Sequence, residues 1–100
     1  WWSGRRRMAS PRSEGATPVR LTVEISMYPL AEAFVPPIRA FIERLNGYDG
    51  LRVSTYPTCT VVVGEHAVVM DALHDALAWS QREFGRCVFV TKFITGYDAE

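Results

Sequence analysis

From Val19 the chain alternates, with Val19, Leu21, Val23, Ile25 and Met27 on one side and Arg20, Thr22, Glu24 and Ser26 on the other. This period of two predicts a half-buried strand, which Tyr28-Pro29 brings to an end. Pro36-Pro37 suit the first turn of a helix, where a fixed φ helps and a missing N–H is harmless. Ile38, Phe41, Ile42 and Leu45 follow at i, i+3, i+4 and i+7, and Asn46-Gly47 is a stop signal, so a helix is predicted from about Pro36 to Leu45. Leu51, Val53 and Thr55 alternate with Arg52, Ser54 and Tyr56, and β-branched residues resume over Cys59–Val63. These two runs predict a hairpin turning near Pro57-Thr58. Val69, Leu73, Ala76, Leu77 and Phe84 then form a helical stripe, predicting a helix from about Ala67 to Phe84 that Gly85 stops. Arg86 to Ile94 is β-branched and aromatic and reads as a fourth strand.

The order β-α-β-β-α-β with right-handed crossovers predicts an α+β, ferredoxin-like sandwich: an antiparallel sheet of order 4-1-3-2 with two helices on one face. Ile38, Phe41, Ile42, Leu45, Leu73, Leu77 and Phe84 are the expected helix contribution to its core. Strand four is apolar on both sides, with Cys87, Phe89 and Phe93 on one and Val88, Val90 and Ile94 on the other. A bare second face would expose a large apolar patch, so another subunit is expected to cover the sheet face or its edge.

Residues 1 to 18 hold arginines, serines, Gly4, Gly15, Pro11 and Pro18 but few aliphatic side chains. They read as a disordered or appended tail, with the domain over 19–98. Met8 opens a more ordinary beginning, and Trp1 to Arg7 read as appended or upstream sequence as readily as native chain. The chain has 11 basic and 11 acidic residues, but Arg5, Arg6, Arg7 and Arg12 lie in this tail. From residue 13 onward, Glu14 included, the chain carries seven basic against eleven acidic groups, a net −4 that argues against general nucleic-acid binding. No apolar run approaches the roughly 20 residues of a membrane span, and no apolar stretch of secretion-signal length follows the arginines. A cytoplasmic location is the expectation.

Most chemistry is missing. His66 and His74 are too far apart for the i, i+4 pair that clasps zinc, so no metal is expected. In the predicted sheet Cys59 and Cys87 are separated by strand one, about 9–10 Å, beyond the reach of a disulfide, so both are expected as free thiols. No glycine-rich phosphate cradle follows the first strand. What remains is a band of hydroxyls and tyrosines at strand ends: Ser26, Tyr28, Ser54, Thr55, Tyr56, Thr58 and Thr60. Strand propensity accounts for most of them. Their capacity to donate, accept and stack also suits a small heteroaromatic ligand.

Ile25-Ser26-Met27-Tyr28-Pro29-Leu30, Cys59-Thr60-Val61-Val62-Val63-Gly64 and Val90-Thr91-Lys92-Phe93-Ile94 carry a resemblance. In that order and spacing they resemble segments of the YkoF-related thiamine-binding family, over about Leu21 to Tyr97. The resemblance implies binding of thiamine or its hydroxymethylpyrimidine part without catalysis and with no further cofactor. It also implies a homodimer or homotetramer, because four such domains assemble in the family. Thr60 occupies the position implied to hydrogen-bond the aminopyrimidine, with Ser26 and Tyr28 nearby and Tyr56, Thr58 and Cys59 as wall residues. Glu24, on the side of Ser26, is the candidate to offset a thiazolium charge. The absence of a phosphate clamp favours unphosphorylated thiamine. The competing expectations are a ligand-free oligomerisation or regulatory domain, and an enzyme acting on a small heteroaromatic, for which no nucleophile and base are spaced suitably.

Overall fold

A computed structural model describes residues 19–99; the expected tail over 1–18 lies outside the described residues. The elements run β1 Arg20–Pro29, α1 Val35–Asn46, β2 Arg52–Thr55, β3 Thr60–Glu65, α2 His66–Phe84 and β4 Cys87–Thr95. The strands lie in the order β2-β3-β1-β4, every pair antiparallel, which is the expected 4-1-3-2 arrangement viewed from the other edge. The chain thus adopts the α+β fold that its periodicities predict. Both helices begin one residue earlier than expected, at Val35 and His66, and Pro36-Pro37 do occupy the first turn of α1.

Register decides what each strand shows to the helices. Ile25 lies opposite Thr60 of β3 and Thr91 of β4, and Val23 opposite Val62 and Phe93. Side chains opposite one another share a face, so Leu21, Val23, Ile25, Thr60 and Val62 all point to the helix side. There they pack with Phe41, Leu45, Val69, Leu73 and Ala76. Two expected core residues do not join them: Leu77 and Phe84 are each 40% exposed. On α2 the buried line runs Val69, Ala72, Leu73, Ala76, Ser80, which turns Leu77 and Phe84 toward water. Ile38 and Ile42 are only half-buried, because they stand at the edge of α1 beside the hairpin. Where β3 passes closest to its neighbours the residue is Gly64: a Cβ there would lie 2.8 Å from the Gly50 carbonyl oxygen and 3.1 Å from Val69 Cγ2.

On the opposite side of the sheet the chain folds back on itself. Gly96, at φ +73, a value that glycine adopts without strain, turns residues 97–99 across the outer face. The Thr22 hydroxyl donates to the Tyr97 carbonyl at 2.6 Å and accepts from the Ala99 N–H at 3.1 Å. Asp98 lies between Arg20 on β1 and Arg52 on β2, both ion-paired to it. These guanidiniums, Arg52 first, hold the Asp98 carboxyl below the usual range. Under this strap Thr22 and Val63 are buried, whereas Val88, Val90 and Ile94 of β4 remain 45–50% exposed on the same face. β4 is also one of the two edge strands of the sheet, with β2 at the other edge.

Candidate functional site

The β2–β3 hairpin turns at Pro57-Thr58, closed by the Tyr56 N–H donating to the Cys59 carbonyl at 2.8 Å. Its tip is anchored from β1, where the Ser26 hydroxyl donates to the Thr58 carbonyl at 3.1 Å. Between this hairpin and α1 lies a cleft of about 100 Å³. Ile25, Met27 and Phe41 give it an apolar floor, and Ile38 and Ile42 of α1 form one wall. The hairpin supplies the other wall with Thr55, Tyr56, Pro57, Thr58, Cys59 and Thr60, most of which carry a hydroxyl or thiol. Thr60 is the deepest of these, buried on the helix side opposite Ile25.

Four of the candidate residues therefore converge: Thr60, Cys59, Tyr56 and Thr58. Ser26, Tyr28 and Glu24 do not line the cleft, because strand alternation sends them to the outer face while Ile25 and Met27 point inward. Ser26 reaches the site only through the turn that it anchors. Tyr28 is exposed, and Glu24 sits 3.5 Å from the Lys92 ammonium on the outer face. Sequence reasoning treated Ile38 and Ile42 purely as core; their position just before and within the sheet-facing stripe of α1 gave no sign that a hairpin would stop short of covering them.

Both cysteines are free. Burial pushes the Cys87 thiol up, away from the thiolate form that a nucleophile needs. Cys59 and His66 flank opposite ends of β3, about 23 Å apart at roughly 3.3 Å per residue, so they form no thiol–imidazole pair. Among the described residues a cluster of strongly interacting groups, Arg44, Tyr48 and Asp75, lies outside the cleft lining. Tyr48 and Arg44 both donate to the Asp75 carboxylate, the guanidinium at 2.9 Å, and Arg44 also lies over the Trp79 ring at 4.7 Å. These hydrogen bonds, Tyr48's first, hold the Asp75 carboxyl below its usual range, while burial and the bond to Asp75 push the Tyr48 phenol up. The cluster clamps α1 to α2, and its groups are engaged with one another rather than directed at a cavity.

No protein-family model and no curated protein matches the chain. Solved structures of the same fold do. A hypothetical protein of Methanocaldococcus jannascii superposes with a TM-score of 0.67 at 25% identity, covering 81% of this chain and 84% of that one. A proposed thiamine biosynthesis/salvage protein of Thermotoga maritima gives 0.68 at 23% identity, with the same coverage of 81% and 84%. A domain of unknown function, DUF77, from Bacillus cereus gives 0.60 at 18% identity over 75% of this chain and 74% of that one. These likenesses establish the fold. Among the described residues no helix is long and apolar enough to cross a membrane.

Proposed function

We propose that the protein is a non-catalytic, cytoplasmic binding module for thiamine or its hydroxymethylpyrimidine part, serving thiamine salvage, transport or homeostasis. The observation that carries the reading is the convergence of four hydroxyl-bearing residues, Thr55, Tyr56, Thr58 and Thr60, on one cleft with an apolar floor beside α1. A flat ring with ring nitrogens and an amino group needs both donors and acceptors at its edge and apolar contact on its faces, and this cleft offers both. The fold-level likeness to a proposed thiamine biosynthesis/salvage protein supports the same ligand class. Titration calorimetry with thiamine and with hydroxymethylpyrimidine tests it: saturable heat with at least one supports the reading, and no heat with either at high micromolar protein removes it.

The same reading includes a homodimer or homotetramer. Its support is β4, a nine-residue edge strand with Val88, Val90 and Ile94 exposed on one side and Phe93, 48% exposed, on the other. Such an edge presents unpaired N–H and C=O groups alongside apolar surface, the arrangement that soluble chains usually cover. Sedimentation at micromolar concentration should show an oligomer; a monomer alone would count against this part of the reading.

A further inference from the structure

A cleft of about 100 Å³ has room for about three waters' worth of liquid, enough for one small ring and not for two. Ligand pockets usually run to roughly 300–1,000 Å³. The missing space lies next door. On the outward side of α1 a shallow groove of about 270 Å³ is lined by Val35, Ile38, Arg39, Ile42 and Glu43. Ile38 and Ile42 line both hollows, so the groove and the cleft adjoin at this pair of side chains. We propose that this groove is a second subsite, which holds a positively charged heteroaromatic ring joined to the ring in the cleft. The proposal rests on the binding reading above and adds to it where the second ring goes and which acid faces it.

Charge supports the assignment. Glu24 faces away from both hollows and is engaged with Lys92. Glu43 stands at the groove itself and has no ion-pair partner among the described residues. Arg39, one turn earlier, does not neutralise it, and Arg preceding Glu is the weaker orientation of an i, i+4 pair. A carboxylate above a floor of Val35, Ile38 and Ile42 favours a cation that also has apolar faces. Arg39 on the same rim repels a compact ion, whose charge is concentrated, more than a ring over which the charge is spread. Because all five residues lie on one helix, the subsite is preformed rather than dependent on a loop.

The test compares a two-ring with a one-ring ligand on the full chain. Calorimetry is run with thiamine and hydroxymethylpyrimidine on the parent protein, on Glu43→Gln and on Val35→Ser, with thermal midpoints to confirm folding. The parent should bind thiamine at least about tenfold more tightly than the pyrimidine, from the extra apolar contact and the charge. Glu43→Gln should weaken thiamine by about two- to fivefold, the scale of one partly exposed charge pair, and leave the pyrimidine within about twofold. Val35→Ser should likewise reduce only thiamine binding. Equal affinity for the two ligands, or a Glu43→Gln effect shared by both, overturns the subsite while leaving the cleft intact. Heat with neither ligand overturns the cleft and the subsite together.

Discussion

The Ser26 hydroxyl, on the outer face of the sheet, donates to the carbonyl of Thr58 at the tip of the hairpin that walls the cleft on the inner side. One hydrogen bond thereby links the two faces. Ser26→Ala should cost about 0.5–1.5 kcal/mol, the usual net worth of such a bond. The local effect should be larger than the global one: amide exchange at Tyr56, whose N–H closes the turn, is expected to accelerate severalfold. Unchanged exchange there would mean that the turn holds itself.

Thr60 is the innermost hydroxyl of the cleft, so Thr60→Val probes recognition with little change of shape. Ligand affinity should fall by about 0.5–1.5 kcal/mol, while the thermal midpoint stays near that of the parent. Calorimetry on both proteins checks this, and undiminished affinity would remove Thr60 from the contact set.

Gly64 is a packing requirement. A methyl group at this position would press on the Gly50 carbonyl at 2.8 Å and on Val69 and Leu51 at 3.1 and 3.2 Å. Because a backbone atom is the closest of the three, the strain cannot be relieved by a rotamer change. Gly64→Ala should lower stability by about 1–3 kcal/mol in a urea titration.

Ser80 on α2 is 1% exposed, and its hydroxyl has no hydrogen-bond partner among the described residues. An orphaned buried hydroxyl is worse than none, so Ser80→Ala should raise stability by about 1 kcal/mol. A lower midpoint in the variant would reveal a partner for the hydroxyl, such as a buried water.

Asp75 and Asp98 both have carboxyls held below the usual range by their donors. In the unfolded chain each regains a proton at about pH 4, before the folded state does, so the unfolded form binds more protons in that interval. The stabilisation is complete above about pH 4 and is lost as pH falls through the lower folded values. Acid titrations of the midpoint should therefore be less steep for Asp75→Asn and for Asp98→Asn than for the parent. Added salt should shrink the difference, since both groups are substantially exposed.

Much of this architecture is written in simple periodicities. Leu21, Val23, Ile25 and Met27 declare an inward face without any knowledge of neighbours, and the hairpin turn at Pro57-Thr58 follows from what proline does to a strand. The same alternation already separates Ser26 from Ile25, but which of them shares a face with Thr60 depends on the β1–β3 register, a long-range property. That is why a hydroxyl band that looked continuous along the chain divides between two sides of the sheet. The phase of the α2 stripe was legible to within one position, enough to find Leu73 and to misplace Leu77. The strap was not legible at all, since pairing Asp98 with Arg20 and Arg52 spans 78 and 46 residues and leaves no local trace.

Every residue that lines the cleft falls between positions 25 and 60, whereas the exposed apolar side chains of β4 fall between 88 and 94. All but Thr60, the first residue of β3, precede the second strand–helix–strand half, so the two halves are largely free to change for different reasons. On the proposed reading, substitutions around the cleft would retune what is bound while β4 keeps its own exposed surface, and the reverse would hold as well.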